Sequence, residues 1–219
     1  MAPWTADKGR QPLDACDNLS AKDAGMVTNR QSRRFPFDAT HRFTIEEYHR
    51  LVEEGLLEER PRSVELLDGR IVPMSPIGPR HQRIVNELLH DLIRQEDGRF
   101  RTGQDSPLPI PDHDEPEPDL LLYRLGALSD EHHVRPADVF LVVEVAESTR
   151  RRDLIKKARI YQGAKIAEYW VVDLKKNCLH VFRLAGGHYE TTVVREGKVS
   201  PQAVPGVEID VTALLGGGA

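Results

Sequence analysis

Val139-Phe140-Leu141-Val142-Val143-Glu144-Val145 is apolar at every position but one and shows no alternation. Half-buried strands alternate with period two, whereas a strand covered on both faces reads as a continuous apolar run. The run therefore predicts a central strand with helices on both sides. Working outward from it, a helix is expected over residues 150–163, followed by a strand over Glu168-Tyr169-Trp170-Val171-Val172-Asp173. Two more strands, over residues 178–184 and 189–195, join through Gly186-Gly187. On the other side, Asp119-Leu120-Leu121-Leu122-Tyr123 reads as a strand, and residues 100–104 and 108–110 as shorter ones. The Pro- and acid-rich stretch 111–118 reads as a flexible loop, and its His113 among acids lacks any recurring ligand spacing.

Further upstream, Pro79 opens the clearest helix, over residues 79–96, because Ile84, Val85, Leu88, Leu89, Leu92 and Ile93 recur at helical spacing. Two short apolar runs flank Asp68-Gly69, and both of these turn positions tolerate positive φ, so a hairpin is expected over residues 63–74. Thr44 followed by Glu47 is a capping box for a helix whose apolar face is Ile45, Tyr48, Leu51 and Val52. Residues 1–40 lack periodicity and read as a disordered leader containing Arg30, Arg33 and Arg34, with Met26 as an alternative start. The whole predicts an α/β fold, a mixed β-sheet flanked by helices, in a single domain over residues 41–215.

The chain has 219 residues, 39% hydrophobic and 30% charged, with a net charge of −5. Such a balance announces no nucleic-acid partner globally, so any DNA contact must rest on local basic residues and on cations recruited to an acidic site. Cys16 and Cys178 are isolated, which makes neither a disulfide framework nor a zinc site. No stretch approaches the roughly 20 apolar residues of a membrane span. The expectation is a cytoplasmic protein.

Two carboxylates carry the chemistry. Asp119 opens one strand and Glu144 nearly closes another. Neighbouring strands lie about 4.8 Å apart, so the two can share a hard cation such as magnesium. A structural ion pair, or strand ends reaching water, fits the same placement. The helix after Glu144 offers Lys156 and Lys157. With about 100° per residue and a buried face centred on Leu154, Ile155, Ala158 and Tyr161, Lys157 borders the sheet side and Lys156 faces solvent. Arg150, Arg151 and Arg152 at the helix start, and His81, are candidate nucleic-acid contacts, or a solvated face.

Glu65-Leu66-Leu67-Asp68-Gly69, Met74-Ser75-Pro76 with His81, Pro118-Asp119, Glu144 through Thr149, Arg152-Asp153 with Lys157 and Tyr161, and Glu168 through Asp173 occur in that order. The series closely resembles the Uma-two family, a branch of the PD-(D/E)xK nuclease superfamily, over about residues 41–215. The resemblance implies a restriction-endonuclease-like fold and metal-dependent endonuclease activity on DNA, with Mg2+ as cofactor, Mn2+ as a substitute, and a homodimer to cut both strands. It implies Asp119 and Glu144 as metal ligands, with Glu65 and the backbone carbonyl of Val145 completing the shell, and Lys157 as the catalytic lysine. The superfamily's usual lysine position, two residues after the acid, is Ala146 here, so the lysine is displaced onto the following helix. The alternative expectation is an inactive nuclease-fold protein that only binds nucleic acid or a protein partner.

Overall fold

The computed structural model describes residues 40–57 and 63–216. Met26, Arg30, Arg33 and Arg34 of the leader lie outside the described residues.

Helix α1 (Ile45–Glu53) starts at Thr44, whose hydroxyl accepts the Glu47 N–H while the Glu47 carboxylate accepts the Thr44 N–H. This satisfies two of the amides that every helix start leaves without partners. Strands β1 (Val64–Leu67) and β2 (Arg70–Pro73) form an antiparallel hairpin, with Asp68 at φ 54° and Gly69 at φ 68° in the turn. Helix α1 packs Tyr48 and Leu51 on Val64 and Leu66 of β1.

The second sheet has six strands, in the order β3-β4-β5-β6-β7-β8. These are β3 (Arg101–Gln104), β4 (Leu120–Tyr123), β5 (Val139–Ala146), β6 (Glu168–Asp173), β7 (Cys178–Ala185) and β8 (His188–Val194). Only β5 and β6 pair in parallel; every other neighbouring pair is antiparallel. Parallel neighbours need a crossover, and the helical segment after β5 supplies it. Side chains alternate across each strand. Leu141, Val143 and Val145 of β5 join one core with Ile84, Val85, Leu88 and Leu92 of helix α2 (Pro79–Arg94) and with helix α4 (Val211–Gly216). Val142 and Ala146 join the opposite core with Ala158, Ile160 and Tyr161 of helix α3 (Ala158–Gly163). The continuous apolar run thus lies mid-sheet and is covered on both faces. A small pair, β9 (Lys198–Val199) with β10 (Ile209–Asp210), leads into α4.

Three expectations need correction. Residues 108–110 form no strand; Ile110 makes only an isolated bridge to Asp114. The acidic loop is pinned rather than loose, because the Glu115 N–H donates to the Leu66 carbonyl at 2.8 Å, the Gly69 N–H to the His113 carbonyl at 2.7 Å, and the Asp68 N–H to the Asp114 carboxylate at 2.5 Å. Backbone groups near a core must find partners, and the outer edge of β1 provides them. Third, the segment after β5 is π-helical over Arg152–Lys157 before it becomes α3. The Ala158 N–H donates to the Asp153 carbonyl, five residues back. Each residue of the wider turn lags behind the α-helical 100°, so the faces shift. Ile155, expected in the core, is 63% exposed, while Asp153 and Lys157 are buried.

Candidate active site

The register Leu120↔Val143, continued by one residue, sets Asp119 opposite Glu144 at one end of the β4–β5 pair. Glu144 alternates with its neighbours onto the face covered by α3, which is why it meets the crossover helix rather than α2. Its Oε1 accepts from the Lys157 ammonium at 2.7 Å and from the Tyr161 hydroxyl at 3.1 Å. Among the described residues its Oε2 has no hydrogen-bond partner. Burial pushes the Glu144 carboxyl well above the usual range, with the Lys157 ammonium opposing the shift.

Asp119 lines the same cleft. Its Oδ2 accepts the Val145 N–H at 2.6 Å, and its Oδ1 pairs with His81 Nε2 at 3.0 Å. His81, on the first turn of α2, is pulled down by burial, but the hydrogen bond and charge of Asp119 outweigh this and raise it.

Lys157 reaches a second carboxylate, Glu65 of β1, at 2.9 Å. Burial works against its charge, yet Glu144, Glu65 and Asp153 together hold the ammonium protonated beyond its ordinary range. Glu65 also accepts from Arg152 at 2.9 Å, and Arg152 donates to the Pro73 carbonyl. Asp153, beneath Lys157, is hydrogen-bonded by the Thr149 hydroxyl. Burial lifts its carboxyl to about 6, the Lys157 charge notwithstanding.

These groups line one cleft of about 430 Å³ together with Asp105, Glu117 and Glu147. Its walls therefore carry seven carboxylates against two permanent cations, Arg152 and Lys157. Burial and the neighbouring Glu65 push the Glu117 carboxyl up to about 7. Such a carboxylate excess is costly unless protons or metal ions enter. Asp119, Glu144 Oε2 and the Val145 backbone provide the oxygen donors that a hard divalent cation prefers.

The structure brings Asp119, Glu144, Val145, Lys157, Glu65, His81 and Arg152 to one cleft. Arg150 points elsewhere, donating to Asp173 at the end of β6. Arg151 is exposed at the helix start. Lys156 does not simply face solvent: it donates to the Leu67 carbonyl at 3.2 Å and lies 3.6 Å from Asp68. Sequence reasoning gave no role to Tyr161 or Asp153 and passed over Asp105. Tyr161 reads as core from its spacing, and no periodic signal marks the others.

One further cluster combines ligand types. Asp173, Cys178 and His180 have donor atoms within 4.8 Å of one another. Asp173 already accepts from Arg150, from the Lys175 and Lys176 amides and lies 3.5 Å from His180. Its lone pairs are taken, so the cluster stands as a hydrogen-bonded network closing the β6–β7 turn.

Comparison with known proteins places the chain in a family and a fold. The family model Uma2, described as "Putative restriction endonuclease", matches residues 45–212. A solved structure of a putative nuclease belonging to DUF820 from Anabaena variabilis superposes with a TM-score of 0.61 at 14% identity, covering 80% of this chain and 98% of the other. At that identity the likeness speaks for the fold alone. No curated protein matches the sequence.

Proposed function

The chain belongs to the Uma2 family, and from that premise we propose that it is a divalent-metal-dependent endonuclease hydrolysing phosphodiester bonds in DNA. The observation that carries the reading is the meeting of Asp119, Glu144 and Lys157 in one carboxylate-rich cleft, with the lysine 2.7 Å from Glu144. Asp119, the free oxygen of Glu144 and the Val145 carbonyl would hold the cation, with Mg2+ as the resident ion and Mn2+ as a substitute. A bound divalent ion supplies a water of lowered pKa and neutralises charge on the scissile phosphate.

The chain's own residues do the rest. The surrounding carboxylates favour the charged form of Lys157, which suits it to act as a donor and a positive charge. It orients the attacking water and offsets the negative charge that develops on the phosphate oxygens. Tyr161 fixes the inner oxygen of Glu144 and leaves the outer one facing the cleft. His81 holds Asp119 from the outside, at the rim where a phosphate enters. Arg151, exposed beside the cleft, is placed to meet the backbone of the nucleic acid. Two copies of the chain as a homodimer would present one such cleft to each strand of a duplex.

The test is cleavage of supercoiled plasmid and of single-stranded DNA with Mg2+, Mn2+ or chelator. Metal-dependent nicking that falls at least about 100-fold in Asp119→Asn, Glu144→Gln and Lys157→Met is expected. Unchanged nicking in those variants would sink the site assignment. DNA binding in chelator, with no cleavage under any metal, would make the protein a binding module instead.

A further inference from the structure

We infer that Glu65 is a positioning residue that sets the Lys157 ammonium, rather than a metal ligand. The inference rests on the nuclease reading of the cleft and assigns one of its carboxylates a different task.

Glu65 is 1% exposed, and both of its oxygens are engaged. Oε1 accepts from Arg152 at 2.9 Å; Oε2 forms an ion pair with the Lys157 ammonium at 2.9 Å and accepts from the Glu117 N–H at 3.4 Å. A carboxylate ligand must turn a lone pair toward its cation, but here each oxygen faces a permanent positive charge, which repels a second cation. Glu144 differs, because only its inner oxygen is used.

The clamp is anchored at both ends. Arg152 is tied to the Pro73 carbonyl at 3.2 Å. Strand β1 is fixed on one edge by the register Glu65↔Val72 and on the other by the bridge Leu66↔Glu115. Lysine has a flexible four-carbon stem, and its use in catalysis requires that the ammonium be held in place before substrate arrives. With Glu144 alone, the ammonium would keep a single tether, and its flexible stem could swing about it. Glu65, drawing from the opposite side, keeps it between the two carboxylates.

The experiment measures Mn2+ affinity by electron paramagnetic resonance and plasmid cleavage by steady-state kinetics, both on the full chain. In Glu65→Gln we expect Mn2+ affinity and KM within about threefold of the original chain while kcat falls on the order of 100-fold, the cost of a misplaced catalytic group. Asp119→Asn and Glu144→Gln should instead weaken Mn2+ binding at least about tenfold. Arg152→Gln should lower kcat at unchanged Mn2+ affinity. The double variant should be no slower than Glu65→Gln alone, because the arginine acts through the glutamate. Should Glu65→Gln not fold, Arg152→Gln decides: a lower kcat at unchanged affinity supports the clamp, and an unchanged kcat overturns it. Loss of Mn2+ affinity in Glu65→Gln to the level of Asp119→Asn overturns it as well, as does an unchanged kcat. Failure of the unmodified chain to bind Mn2+ or to cut is a separate result, visible before any variant is compared, and it removes the nuclease reading together with the clamp.

Discussion

Lys157 keeps only 4% of its side chain exposed, between two carboxylates that are themselves almost wholly buried. Removing one partner from a buried ion pair strands the other, at a cost of about 3–5 kcal/mol. Lys157→Ala should therefore lose about that much stability in urea denaturation at neutral pH, a loss separate from its effect on cleavage. Asp153 predicts a pH effect. Its carboxyl titrates at about 6 in the folded protein against an ordinary 3.8. The folded state then holds the extra proton between those values. Stability from this group is fully present below 3.8 and is lost as pH rises through about 6. A shift of about two units corresponds to roughly 3 kcal/mol. Asp153→Asn should be flatter than the original chain between pH 4 and 7, and more stable at pH 7.5. A variant less stable at pH 7.5 would contradict the desolvation argument. At this scale the sequence singled out Asp119 and Glu144, and the structure sets the two in one cleft. Tyr161 and Asp153 were opaque, because their roles come from what the fold sets beside them.

The elements separate into those specified by local chemistry and those specified by packing. The capping box at Thr44 and the Asp68-Gly69 turn are local, and the structure has both. Gly69 has φ 68°, and a Cβ there would lie 2.7 Å from the Arg42 Cβ. Gly69→Ala should cost about 1–3 kcal/mol in thermal melts, from left-handed strain and the clash together. The π turn at Arg152–Lys157 was not legible, because a change in hydrogen-bond register leaves no mark in side-chain periodicity. It moved Ile155 out of the core and Lys157 deep into it. Ile155→Lys should accordingly change stability by less than about 0.5 kcal/mol, the usual effect at an exposed site. A large loss would restore Ile155 to the core. The bridge from Leu66 to the acidic loop escaped notice for a related reason: its bonds are made by backbone, to which composition is blind.

Across the whole molecule, the balance of charge governs what can approach. A chain with net charge −5 and a carboxylate-rich cleft repels a polyanion until cations enter. Divalent metal should thus stabilise the folded chain, by about 2.7 kcal/mol at a hundred times its dissociation constant. For a domain of this size that is a rise in Tm of roughly 5–10 °C. The rise should disappear in the double variant Asp119→Asn with Glu144→Gln; a rise that persists would place the metal elsewhere. At this scale the sheet was readable from one apolar run. Among the described residues, no helix is long and apolar enough to cross a membrane.

Glu144 offers one oxygen to an ammonium, and its other oxygen has no hydrogen-bond partner among the described residues. Two positive guests therefore share one host, and thermodynamic reciprocity binds them: whatever penalty the ammonium imposes on an incoming metal ion, the ion imposes equally on the ammonium. On the proposed nuclease reading, the lysine that would serve turnover would also lower metal affinity. Lys157→Met should hold Mn2+ more tightly than the original chain while cutting poorly, a trade of occupancy for speed written into a single side chain.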